Sequence, residues 1–276
     1  MIESSGRSWP SRSNTKQMNT QTLSIAEPSP FDANAFASQA LSSAAALAAV
    51  LDHTLLKPEA TRTQVIRLCH EAAEHRFACA MVNPTWVGVA AETLAGTGVP
   101  VGVVIGFPLG ASLSASKRDE AARVLKLGAH DVDMVLNIGL LKSGTKEDYD
   151  AVKQDIRGVV ELAHGVGGIV KVILETCLLS FEEKLRASEL ALAAGADFIK
   201  TSTGFSSGGA TVDDITLMRS VAGTRAGVKA SGGIRSLADA SAMLHAGATR
   251  IGASASVKIL AELAGQKPAP GAGKSY

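Results

Sequence analysis

The sequence predicts a single (β/α)8 barrel, an α/β fold in which eight parallel strands close into a ring. Three observations carry that prediction. From Leu51 onward eight short apolar runs recur, separated by longer stretches with apolar residues three and four positions apart. Several of those stretches end in Gly just before the next run, as a helix C-terminus prefers. No GxGxxG turn follows the first run, so the usual mark of an open doubly wound sheet is missing. Eight consecutive units favour closure, because an open parallel edge would need covering.

The elements follow in order. The apolar stretch 31–50, "FDANAFASQALSSAAALAAV", reads as an extra helix that closes the bottom of the barrel. The expected strands are "LDHTLL" (51–56), "ACAMV" (78–82), "PVGVVIGF" (100–107), "DVDMVLN" (131–137), "VKVILE" (170–175), "FIKTST" (198–203), "GVKASG" (227–232) and "TRIGAS" (249–254). Between them, "TRTQVIRLCHEAAEHR", "ASKRDEAARVLKLGA", "SFEEKLRASELALAAGA" and "SLADASAMLHAGA" carry the helical period. Strands alternating with helices of this length imply a parallel sheet. Asn83 and Pro84 terminate the second strand, and Met81 fills a packing gap.

Residues 1–30 are rich in Ser, Thr, Asn, Gln and Pro and read as a disordered tail, 31–265 as the barrel domain, and 266–276 as a C-terminal tail. The first of these has no apolar run long enough for a signal-peptide core, and Met18 offers a second start that would make residues 1–17 an artefact of gene assignment. With 46% hydrophobic and 19% charged residues the chain suits a soluble globular protein. A formal charge of +1, and no basic stripe interleaved with aromatics, argue against nucleic acid and membrane surfaces as partners. Cys69, Cys79 and Cys177 form no CxxC pair, and the odd count speaks against a closed disulfide framework, so a reducing cytoplasm is the expected compartment. The six histidines make no HExxH or similar pattern, so no metal is expected, and His53 alone is placed near the site.

In such a barrel the chemistry sits at the C-terminal ends of the strands. Polar residues late in a strand are therefore the ones to inspect: Asp52 on the first, Asp133 on the fourth, Lys171 and Glu175 on the fifth, Lys200 on the sixth and Lys229 on the seventh. Lysine is almost never fully buried unless paired. Lys200 and Lys229 on neighbouring strands, both pointing inward, would bring two ammonium groups together, and like charges disfavour double protonation. One neutral amine near pH 7 is what a Schiff-base nucleophile requires. A lysine that merely pairs a carboxylate at a strand end remains the alternative for each taken singly. Asp133 is the candidate acid/base partner, and Asp52 orients a lysine or bonds His53 or Thr54.

Gly-rich turns follow the last three strands, "TSTGFSSGG", "ASGGIRS" and "GASAS". Such turns expose backbone N–H groups where barrels hold a phosphate. Gly204, Gly232, Gly233 and Ser254 are the phosphate candidates, with Arg235 adding charge and Lys171 a further substrate-binding candidate. Plain turn formation is the alternative, since Gly serves any left-handed position.

From about Leu51 to Leu260 the chain resembles the deoxyribose-phosphate aldolases, which are class I aldolases. The likeness runs in order through "LDHTLLKPEAT", "VNPTWV", "VVIGFPLG", "DVDMVLNIGLLKSG", "VKVILET", "FIKTSTGF", "VKASGGIR" and "RIGAS". The resemblance implies that Lys200 forms the imine, Lys229 perturbs its pKa, Asp133 relays protons through water, Asp52 organises the lysines, and the three glycines with Ser254 cradle a sugar phosphate. It implies no metal or organic cofactor. The chain departs from the family in two places. Met81 stands where Cys often does, removing a thiol, and Ala255 follows Ser254 where a second hydroxyl is usual. Two other readings stay open, another Schiff-base aldolase with a different donor and a catalytically silent sugar-phosphate-binding barrel. A homodimer also stays open, since no surface pattern demands one.

Overall fold

The computed structural model describes residues 31–266. The expected tail at 1–30, and all but the first residue of that at 266–276, lie outside the described residues. The strands are β1 Leu51–Leu55, β2 Cys79–Val82, β3 Val101–Ile105, β4 Ala129–Val135, β5 Ile169–Ile173, β6 Phe198–Lys200, β7 Gly227–Ser231 and β8 Arg250–Ala253, all parallel and closed into a barrel in chain order. The helices are α1 Ala33–Ala40, α2 Ala44–Ala48, α3 Arg62–His75, α4 Val87–Leu94, α5 Ser114–Lys126, α6 Ile138–Ser143, α7 Lys146–His164, α8 Phe181–Ala193, α9 Val212–Ala222, α10 Leu237–His245 and α11 Ser256–Leu263.

The helices begin where their first residues can satisfy exposed N–H groups. Thr61, Ser180 and Ser236 cap α3, α8 and α10 with their side chains, each in a reciprocal capping box. The apolar faces pack on the outward side chains of the strands; Val65, Leu68, Ala72, Val152, Ile156, Val159, Ala187 and Ala191 are fully buried there.

Two expectations need correction. The stretch 31–50 is two helices, because Ser43 sits in extended backbone and caps α2, breaking the run after Leu41. α2 abuts the N-terminal end of β2, where the carbonyl of Ala48 accepts from Ala78, while α1 lies along α10. The strands also end earlier than the apolar runs do, β6 at Lys200 rather than Thr203. Residues past those ends turn into loops whose backbone still bonds across the gap, as in Thr201 N–H to the Lys229 carbonyl at 3.1 Å.

Register places the charged residues. Asp133 stands beside Lys171, and Lys200 beside Lys229, on adjacent strands. Because strand side chains alternate, these residues face the barrel interior while Val132, Val170, Val172, Ile199 and Val228 face the helices. Gly252 on β8 makes room for them: a Cβ there would lie 3.0 Å from the Lys229 Cε. The barrel interior is therefore in part a packed ionic core, with Cys79, Met81 and Val104 forming an apolar cluster on the side of β2 and β3.

Candidate active site

Lys200 is the last residue of β6, so its side chain stands at the boundary between the barrel core and the space above it. Only 3% of its surface is exposed. Its Nζ donates to Asp133 Oδ2 at 2.7 Å, and Lys229 Nζ donates to the same oxygen at 2.7 Å. Lys229 also donates to Asp52 Oδ2. Asp52 Oδ1 in turn accepts from Arg250 at 2.8 Å.

Lys171 sits differently from the phosphate-binding expectation. It is fully buried and donates to Asp131 Oδ2 at 2.6 Å, with Asp133 Oδ1 at 3.2 Å and Asp52 Oδ2 at 3.8 Å. Its place is in the ionic core below Lys200, because β5 directs it inward level with Phe198, two residues below Lys200. His53 is likewise displaced from the site: it faces α3 and bonds Glu71 at 2.8 Å, since strand alternation turns it away from the side that Asp52 faces.

The electrostatics separate the lysines. Burial lowers the Lys200 pKa to about 8, against the pull of Asp133 and with help from the repulsion of Lys229. Lys171 and Lys229 go the other way: burial would lower them, but the attraction of Asp133 and Asp52 outweighs it and raises both. Asp133 and Asp52 are disfavoured as anions by burial, yet the surrounding lysines hold both well below the ordinary carboxylate range. Lys200 is the one lysine of the three whose amine is accessible as a free base close to neutral pH.

Above Lys200 opens a cavity of about 380 Å³. Gly204, Gly232, Gly233 and Ser254 line it, so the four phosphate candidates and the nucleophile candidate meet in one space. The three glycines have φ of 84°, 86° and 83°, a region other residues adopt only at a cost. Lys57 and Arg235 add two cationic side chains to the wall. This volume suits a small phosphorylated molecule.

Lys57 at the site escapes a reading by motif, and Glu175, singled out as a polar residue late in the fifth strand, has a role that no motif gives. Lys57 follows β1 in "LLKPE" and could have been found as a charge just past a strand end. Glu175 is buried in left-handed backbone at φ 57°, and both the N–H and the hydroxyl of Thr203 donate to its carboxylate. Thr203 Oγ1 accepts from Phe205 N–H at 3.0 Å, so Glu175 fixes the turn that carries Gly204. A strained non-glycine conformation of this kind gives no signal in sequence.

Among the described residues, Asp52, Cys79 and Asp131 bring potential metal ligands within 4.8 Å of one another. Both carboxylates are already bonded to Lys171, Lys229 and Arg250, and burial pushes the Cys79 thiol up, away from the thiolate a metal would need. No helix among the described residues is long and apolar enough to cross a membrane.

Comparison with known proteins agrees with this geometry. Residues 46–263 match the family described as DeoC/LacD family aldolase. The chain is 54% identical over 214 residues to a deoxyribose-phosphate aldolase of Geobacillus sp. (strain WCH70), covering 78% of this chain and 94% of the relative. It is 58% identical over 210 residues to one of Streptococcus sanguinis (strain SK36), covering 76% and 93%. Among solved structures, the tetrameric deoxyribose phosphate aldolase of Aeropyrum pernix superposes with a TM-score of 0.77 at 37% identity, over 86% of this chain and 99% of that one. The barrel, its two neighbouring interior lysines and these matches along most of its length lead to one conclusion: the chain belongs to the DeoC/LacD family of aldolases.

Proposed function

We propose that this aldolase reversibly cleaves 2-deoxy-D-ribose 5-phosphate to acetaldehyde and D-glyceraldehyde 3-phosphate, through an imine on Lys200, and that the barrel at 31–265 carries the whole activity. The observation that carries the proposal is Lys200 itself, an amine with a pKa of about 8 set at the floor of a cavity whose opposite wall is glycine turns and cations.

Neutral Lys200 adds to the C1 aldehyde of the open-chain sugar, and loss of water leaves a protonated imine. Removal of the C3 hydroxyl proton sends the C2–C3 bonding pair into that imine. D-Glyceraldehyde 3-phosphate departs and an enamine remains. Protonation at C2 and attack by water release acetaldehyde and restore the amine. Asp133, 2.7 Å from Lys200 Nζ, is the group placed to exchange protons with the nitrogen and, through water, with the substrate. Lys229 shares the same carboxylate oxygen and repels a proton on Lys200. The glycine turns offer backbone N–H groups to the phosphate, and Ser254 offers a hydroxyl.

Borohydride reduction in the presence of acetaldehyde tests this directly. An ethyl group located on Lys200 by peptide mass spectrometry is the expected result. A folded protein that gains no adduct would remove the imine route, and an adduct on Lys229 would reverse the roles of the two lysines.

Replacing Ser254 with Ala should raise KM for the phosphorylated substrate by roughly 10- to 150-fold, as loss of one hydrogen bond to a charged group of roughly 1.5–3 kcal/mol would do. The kcat value, and turnover of unphosphorylated 2-deoxyribose, should hold. Steady-state kinetics on the two sugars check it: an equal change on both would move Ser254 out of the phosphate site.

A further inference from the structure

Beneath Lys200 the ionic core holds an unequal number of charges. Lys171, Lys200, Lys229 and Arg250 supply four cations; Asp52, Asp131 and Asp133 supply three carboxylates. Taking charge out of water is tolerated when the charges cancel, and a surplus ion in such a core is costly. One proton too many is present, and the core is neutral only when one lysine gives its proton up.

Arg250 is what creates the surplus. Its guanidinium enters from the N-terminal end of β8 over the Phe198 ring, 5.3 Å from the centroid. It donates to Asp52 Oδ1 at 2.8 Å and lies 3.6 Å from Asp131 Oδ2. A guanidinium does not deprotonate in a protein, so it claims its share of the carboxylates permanently. Lys171 is held by Asp131 and Asp133, and Lys229 by Asp52 and Asp133. Among the described residues Lys200 pairs with one carboxylate oxygen, and that one is shared with Lys229. Of the four cations it has the weakest claim.

We propose that Arg250 is a positioning residue for the reaction: by occupying Asp52 and crowding Asp131 it leaves the core one carboxylate short, and the shortfall falls on Lys200. The proposal rests on Lys200 being the imine-forming residue. Arg250 does not line the cavity and touches no reacting atom. Among the described residues, the charged groups around Lys200 are Asp52 from β1, Asp131 and Asp133 from β4, Lys171 from β5, Lys229 from β7 and Arg250 from β8; the Cys79 thiol comes from β2, Lys57 and Arg235 stand on the cavity wall above, and Glu175, just past β5, is bonded to Thr203 and stands outside the ion pairs. His130 bonds the far oxygen of Asp131 at 2.9 Å from a half-exposed position outside the core. Burial and the repulsion of Lys229 and Lys171 on Lys200 are in the direction this count requires.

The test is the pH dependence of adduct formation at Lys200, read by brief exposure to acetaldehyde at each pH, borohydride quench and peptide mass spectrometry. In Arg250→Met the core holds three cations against three carboxylates, so Lys200 keeps its proton and the acid limb should move up by about one pH unit or more. Arg250→Lys should restore the limb. Asp131→Asn removes a carboxylate, enlarges the surplus and should move the limb down. A residue that only supports the fold would not shift the limb in opposite directions for opposite charge changes. If wild type gains no adduct at Lys200, the imine reading itself fails. If wild type gains it and the limb stays put in folded Arg250→Met, the charge-count proposal is overturned. Should Arg250→Met not fold, Asp131→Asn decides alone, a downward shift supporting the proposal and an unchanged or upward limb ending it.

Discussion

Lys200→Met should abolish turnover without unfolding the barrel. The loss should exceed the factor of about 10⁴ that general acid–base assistance alone supplies, because the covalent route goes with the amine. The stability side of the prediction is less obvious. Asp133 keeps Lys171 and Lys229 as partners, and a buried amine disfavoured by its surroundings is replaced by an apolar chain of similar length. The variant should therefore melt no lower than wild type, read by thermal denaturation, while a coupled assay for D-glyceraldehyde 3-phosphate reads zero. Turnover surviving at the wild-type rate would end the mechanism. In the wild-type enzyme the same amine sets the pH dependence. With its pKa at about 8, the free base is the minor form at pH 7 and turnover should climb through pH 8 before levelling.

Asp133→Asn should separate imine formation from proton transfer. The carboxylate accepts from Lys200 and Lys229 on one oxygen and lies 3.2 Å from Lys171 on the other. Neutralising it leaves Lys200 without its carboxylate, while Lys171 keeps Asp131 and Lys229 keeps Asp52, a loss of up to about 3–5 kcal/mol for a broken buried pair. It also removes the attraction that favours protonated Lys200. Adduct formation with acetaldehyde should persist, while turnover of the sugar phosphate falls by about 10²- to 10⁴-fold. A variant that lost both together would show that Asp133 is needed to make the imine as well as to carry protons.

The barrel and the principal catalytic candidates were legible because strand period and residue chemistry act over short stretches of chain. "FIKTST" and "GVKASG" each announce an inward lysine near a strand end, and the closed topology puts those ends side by side. The alternation that revealed Lys200 also made Lys171 look like a cavity residue, since a two-residue difference in depth is set by barrel stagger and leaves no mark in sequence. Burial alone would also have misled: Lys117 on α5 is fully buried and simply pairs Asp155 at 2.5 Å outside the site. The break between α1 and α2 turned on whether Ser43 capped a new helix or continued an old one, a choice decided by packing. Glu175 and Arg250 act through partners far away in the chain, and neither motif nor period reports such partners.

Lys229 and Asp52 are 177 residues apart, and Arg250 and Asp52 are 198 apart, yet each pair is in direct contact. Those bonds form only when the last strand docks against the first. A solvated lysine without those neighbours is almost wholly protonated at neutral pH and reacts only slowly with aldehydes. Nucleophilicity is thus conferred by ring closure: a nascent chain, or one nicked so that its ends separate, carries the same lysines without their chemistry. Rapid aldehyde capture at Lys200 should then report the completed ring and fall to the rate of an ordinary lysine wherever the seam between β1 and β8 is open.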